Sequence, residues 1–253
     1  MNKNYRGLRT INAMGGDIIP AKAFSRKQAV FNEKAAQYAN QGVITTPGYL
    51  RLESLAPAAA TSVFTFNTLD TSGTKTVTER RLKLADTFTI TDISFYLGFG
   101  SATANAPTND QYAKQQLVTY PNPNIAAFSG KSDELEAIYN GYLSLRVDTT
   151  TFLDSIPMRQ FYRVGTSQQV TAGTNQNGIG RDEWPLAMYG KNELLPTIEL
   201  NGQSNIEFSI NLPNAQDCSA ASTYFTNCVL ILTGFLNQGA ATVQRQVQNR
   251  LRK

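Results

Sequence analysis

Asp182 and Glu183, set beside Trp184, are the residues of this chain whose types most resemble working chemistry. Two carboxylates and an aromatic platform are the equipment of glycoside cleavage or sugar binding. Adjacent residues on a strand point to opposite faces, however, so this pair would not flank one glycosidic bond. It reads instead as a loop patch with Trp184 as the anchor of an interface. The chain has no histidine. That removes the commonest general base, the Ser-His and Cys-His nucleophile pairs and the imidazole ligand of most transition-metal sites. Cys218 and Cys228 match no zinc spacing and are too few for a disulfide framework. Cys228 opens the apolar run CVLIL and reads as a reduced core residue, while a staple between the two stays open. Gly98-Phe99-Gly100 lacks the following helix and the pattern of a phosphate-binding loop. Thr78-Glu79-Arg80-Arg81 reads as a charged strand face with cross-strand ion pairs. These readings assign no catalytic residue, no cofactor site and no metal site, and the expectation is a non-enzymatic protein.

Charge is distributed more tellingly than chemistry. Residues 1–34 hold Lys3, Arg6, Arg9, Lys22, Arg26, Lys27 and Lys34 against Asp17 and Glu33, and residues 240–253 hold Arg245, Arg250, Arg252 and Lys253 with no acid. The ends together carry +9 while the whole chain carries +4, so residues 35–239 carry about −5. A mildly acidic body with basic extremities fits arms that seek polyanions or acidic neighbours. The cations are sparser than in a dense genome-packaging arm, which ranks bridging between subunits slightly above contact with nucleic acid. Charged residues make up only 17% of the chain, and low surface charge suits a protein buried in an assembly. No run approaches the length of a membrane helix, and MNKNYRGLRT lacks the apolar core of a signal peptide.

The elements that must carry these residues follow from period and punctuation. Residues 1–60 read as a basic N-terminal arm. Within it, SRKQAVFNEKAAQYAN opens at Ser25 as a short helix with Phe31, Ala35 and Tyr38 as a narrow apolar stripe, and residues 44–60 are a link punctuated by Pro47 and Pro57. From Thr61 to Leu236 the dominant period is two. VFTFNTL turns Phe64 and Phe66 to one side, and TVTERRLKL reads as a polar strand near an edge. In DTFTITDISFYLGFG, Phe88 and Ile90 share one parity while Ile93, Phe95, Leu97 and Phe99 share the other. One extra residue near Thr91–Asp92 reconciles them, as in a β-bulge. SDELEAIYNG is a short helix capped by Ser132 and stopped by Gly141. YLSLRVD alternates, and PTIEL and NIEFSINLP flank Asn201-Gly202 as a hairpin signal. NCVLILTGFL is apolar on both parities, the mark of a central strand covered on both faces. The Gly-rich interval 165–181 reads as a functional or mobile loop. The tail 237–253 is basic, and ATVQRQVQNRLRK (241–253) within it reads as a short amphipathic helix or a disordered end. About nine strands without βαβ alternation argue for an all-β, antiparallel two-sheet sandwich of jelly-roll type. Tyr112, Tyr120, Tyr162, Trp184 and Tyr189 fall in loops or at strand ends, where aromatics serve contact surfaces.

This layout resembles viral coat proteins built on a jelly roll: a basic N-terminal arm with a helix, a sandwich, long end loops and a short basic tail. ADTFTITDISFYLGFG, IYNGYLSLRVDTTTF and NCVLILTGFL in particular are similar to structural proteins of bacteriophage particles. The resemblance implies a capsid subunit that assembles with copies of itself, and with other virion proteins, into an icosahedral shell in the host cytoplasm. Its arms would bridge neighbours or contact the genomic nucleic acid, and no catalytic residue carries over. The alternative is a carbohydrate- or receptor-binding sandwich, such as a fibre head, with a groove around Trp184 and Tyr189.

Overall fold

Two antiparallel sheets face each other across an apolar core. The structure is a computed structural model and describes residues 21–39, 41–102, 106–164, 191–220 and 223–251. Sheet A sets β1 (Ile44–Leu55) beside β9 (Tyr224–Gln238) and β9 beside β3 (Thr87–Ser101). The far side of β3 takes β7 (Lys191–Asn201) along its first part and β4 (Gln116–Val118) along its last. Sheet B runs β2 (Thr61–Asn67), β8 (Ile206–Gln216), β5 (Tyr142–Val147) and β6 (Thr150–Pro157). Apart from the short β4, the partners nest: β1 pairs with β9, β2 with β8, β3 with β7 and β5 with β6. Among the described residues four α-helices decorate the sandwich: α1 (Ala21–Tyr38), α2 (Asn109–Ala113), α3 (Ser132–Glu136) and α4 (Ala240–Leu251). Among the described residues, no helix is long and apolar enough to cross a membrane.

The bulge expected in β3 is present. Ile90 pairs with Gly234 and Asp92 with Thr233, so Thr91 is the extra residue against β9. Phe88 and Ile90 before it and Ile93, Phe95, Leu97 and Phe99 after it all enter the core, which an unbroken two-residue period would forbid. Glycine is required opposite the bulge, because a Cβ on Gly234 would overlap the carbonyl of Thr89. Leu50 and Leu52 of β1 and Leu230 and Leu232 of β9 complete this layer. They face Phe64 and Phe66 of β2, Phe208 and Ile210 of β8, and Leu143 and Leu145 of β5. Central β9 is buried on both faces along most of its length, as its apolar pattern requires.

Four expectations are corrected. The helix of the arm begins by Ala21 rather than at Ser25. The sandwich starts at Ile44, not Thr61, because the supposed link contains β1, paired along its whole length with β9. Pro47 is compatible with β1 because β1 is an edge strand whose side away from β9 makes, among the described residues, only the isolated Arg51–Arg80 bridge. TVTERRLKL is no strand: it turns and makes only the isolated bridges Arg51–Arg80 and Leu69–Leu82. Asn201-Gly202 does not close a hairpin, since β7 belongs to sheet A and β8 to sheet B; the turn is a corner between sheets. A smaller correction concerns α3, where Ser132 is the first helical residue and makes no capping bond.

Candidate functional site

Two polar assemblies lie on the outer face of sheet A. The first is a clasp that holds α1. The bulge at Thr91 turns Asp92 outward, and Lys27 donates to both of its carboxylate oxygens, at 2.9 and 2.8 Å. Thr91 and Thr233 donate to the same carboxylate at 2.7 and 3.1 Å. One end of the helix is fixed by Arg26, which pairs with Glu193 and donates to the carbonyl of Leu194 at 2.8 Å. At the other end Lys34 reaches Glu199 at 2.5 Å. Tyr38 is buried and donates to Glu199 at 3.1 Å, and Gln244 of α4 donates to the Tyr38 hydroxyl at 2.7 Å and to Glu199 at 3.0 Å. Between the ion pairs Phe31 packs on Phe235 of β9, ring centroids 5.5 Å apart. Burial alone would raise the pKa of Asp92 and of Glu199. The ammonium groups of Lys27 and Lys34 and the hydroxyl and amide donors outweigh it and hold both carboxyls below their ordinary values. Burial, then the charge of Glu199, pushes the Tyr38 phenol up.

The second assembly is a buried knot around Glu53 and Glu79. Arg51 (2.7 Å), Thr78 (2.7 Å) and Gln115 (2.9 Å) donate to one oxygen of Glu53, and Thr76 (3.1 Å) and Asn227 (3.0 Å) to the other. Glu79 accepts the main-chain N–H of Glu53 at 3.2 Å and of Thr76 at 2.9 Å, and its Oε2 accepts from Arg81 at 2.7 Å. Arg81 also donates to the carbonyls of Ser72 and Thr74. The expected cross-strand pairs of Thr78–Arg81 are therefore replaced by a strap: the loop after β2 is tied down through Glu79, Arg81 and Thr78 onto β1. The donors that converge on the two carboxylates come from β1, the loop after β2, the approach to β4 and β9. Their role is cohesive. Among the described residues no group of three or more acids and cysteines is placed to hold a metal ion.

Of the site residues read from sequence, Arg26 and Lys27 are in the clasp, paired within their own chain, and Arg245 is exposed on α4. Lys22 and Arg250 lie within α1 and α4. Lys3, Arg6, Arg9, Arg252, Lys253, Trp184 and Tyr189 lie outside the described residues, as do Asp182, Glu183 and the interval 165–181. Tyr112 is not a surface aromatic: it is buried against Phe225, centroids 5.3 Å apart. Burial and the charges of Glu53 and Glu79 push its phenol up to about 12. Tyr120 and Tyr162 are half-buried neighbours at 6.2 Å, and Tyr162 packs edge-on against Tyr139 at 5.0 Å and carries the Arg159 guanidinium at 4.3 Å. Sequence reasoning missed the acidic half of the clasp, Asp92, Glu193 and Glu199. The one available signal was the parity break that turns Asp92 outward.

No protein-family model matches the chain, and comparison with curated proteins and with solved structures yields no significant match.

Both thiols are free and buried. Burial, then the charges of Asp217 and Glu134, pushes Cys218 up to about 12, and burial holds Cys228 well above its ordinary range. Neither forms the reactive thiolate at neutral pH. A disulfide-exchange reagent such as Ellman's should therefore label neither cysteine of the folded chain at pH 8 and both in denaturant. Labelling of the native chain within minutes would contradict this placement.

Proposed function

We propose that the chain is a virion structural protein, a capsid subunit whose sandwich tiles a shell while its basic ends work on one side of that shell. The nested strand pairing supports reading the sandwich as a jelly roll, an architecture used by many viral coats. One observation carries the functional reading: both cationic ends of the chain are anchored on the same face. α1 and α4 meet at the Tyr38–Gln244–Glu199 contact over sheet A. The outer face of sheet B, by contrast, carries neutral side chains such as Val63, Thr65, Ser209, Asn211, Tyr142 and Ser144, with Arg146 and Glu207 set opposite each other as one balanced pair of charges. Such two-sidedness suits a tile with a polyanion-facing side and a neutral side. It also refines the expected arm: Arg26, Lys27 and Lys34 hold α1 on its own sandwich, so the cations left for a neighbour or a genome are the outlying ones, Lys3, Arg6, Arg9, Arg252 and Lys253 among them.

The test compares the full chain with a version lacking residues 1–20, which keeps the clasp. Light scattering and negative-stain imaging should show regular closed particles from the full chain and small species from the shortened one, with salt weakening any nucleic-acid content. A full chain that stays a small species under all assembly conditions, with or without nucleic acid, would reject the reading. Discrete monomers that bind glycans would replace it with the receptor-binding one.

A further inference from the structure

A sheet edge offers unpaired main-chain groups to any passing strand, and proteins guard edges with charge, proline, bulges or brevity. Three of the edges here carry such guards. β1 has Pro47, Arg51 and Glu53; β7 has Lys191, Glu193, Pro196 and Glu199; β6 has Asp154, Pro157 and irregular pairing with β5. β4 is only three residues long. β2, TSVFTFN, has neither charge nor proline along its seven residues.

The direction of the free groups can be derived. A Cβ on Gly141 would overlap the carbonyl oxygen of Asn211, so the main-chain groups of Asn211 point toward β5. Val63, opposite Asn211, is then in a non-hydrogen-bonded pair, and its own N–H and C=O point away from β8. The Thr61 hydroxyl confirms this by donating to the Val63 carbonyl at 2.9 Å and accepting from its N–H at 3.2 Å. By alternation the main-chain groups of Thr65 and Asn67 also point outward. Val63 is capped; among the described residues, the outward main-chain groups of Thr65 and Asn67 meet no partner.

We propose that β2 pairs antiparallel with β2 of a second copy, about a two-fold axis at Thr65, joining two sheets B into one. The partner is a second copy because self-pairing places no like charges opposite one another and sets Thr65 against Thr65, a favourable cross-strand pair. Thr65 would exchange both of its N–H···O bonds with its counterpart, and Asn67 would pair with Val63 once the Thr61 hydroxyl swings aside. The contact deepens the shell reading and rests on it only in taking a second copy as the partner.

Native mass spectrometry on the full chain, below the concentration at which larger species form, should show a dimer. Thr65→Pro removes the outward donor while leaving the β8 ladder intact, and should give monomers with unchanged circular dichroism and melting. Thr65→Lys, which sets two ammonium groups face to face, should do the same and serves if the proline variant misfolds. Thr61→Ala uncaps Val63 and should tighten the dimer roughly fivefold to tenfold. A wild-type chain that stays monomeric, or variants at Thr65 that dimerise like wild type, would overturn the inference. Particles that form without any β2-dependent dimer would overturn this contact and leave the shell reading standing; a β2-dependent dimer that never forms particles would do the reverse.

Discussion

Replacing Glu53 by alanine should lower the stability of the folded chain by about 3–5 kcal/mol, the cost of breaking a buried ion pair by removing one partner. The carboxylate receives five donors from four separate parts of the chain: Arg51 on β1, Thr76 and Thr78 in the loop after β2, Gln115 before β4 and Asn227 on β9. Alanine would strand all of them in a site where Glu53 itself is nearly inaccessible, and each stranded buried donor carries a desolvation penalty of about 1–3 kcal/mol. Relaxation and water entry recover part of the sum. Glu53→Gln keeps one acceptor oxygen but turns an NH2 group toward donors, so it should lose a smaller share. Urea unfolding followed by circular dichroism measures both. A Glu53→Ala midpoint within error of wild type would mean that the knot contributes nothing, and that the strap is held by backbone contacts alone.

The knot also marks where sequence reading stopped. The charged stretch Thr78–Arg81 was recognisable as an ion-pairing segment. Its partners were not, because Glu53 lies 25 residues from Thr78 and Asn227 lies 174 from Glu53, separations that no local period encodes. Parity did locate the bulge at Thr91, since burying Ile90 and Ile93 on one face demands an odd residue between them. It also marked β9 as central, because apolar residues on both faces need cover on both. Local turn chemistry misled in two places. Pro47 reads as a break but is tolerated along a free edge, and Asn201-Gly202 reads as a hairpin but serves a corner. In each case the identity of the neighbouring strand decided the outcome, and that neighbour is remote in sequence. The clasp divides in the same way: its cations and its Phe31, Ala35, Tyr38 stripe were legible on one helix, whereas its acids are spread over β3 and β7.

That division leads to the second large effect, on the docking of α1. The helix has a narrow apolar stripe and would be marginal alone in water, so its order depends on Phe31, Tyr38 and the ion pairs beneath it. Asp92 and Glu199 have folded pKa values below their ordinary ones. A lowered carboxyl contributes stability that is fully present above the unfolded value, about 4, and is lost as pH falls through the folded value. Docking should hold from neutral pH down to about pH 4 and weaken below it. Hydrogen exchange across residues 26–38, corrected for the intrinsic rate, reads this directly: protection should fall in acid while β9 stays protected. Lys27→Met strands the buried Asp92 carboxylate and should cost about 1–3 kcal/mol of docking at neutral pH. Its difference from wild type should shrink below pH 4, where Asp92 takes up a proton and no longer needs the ammonium. Asp92→Asn should show the opposite profile in one respect, with weaker docking at neutral pH but a flatter response to acid. Protection that is independent of pH in wild type and both variants would show that Phe31 and Tyr38 hold the helix without help from charge.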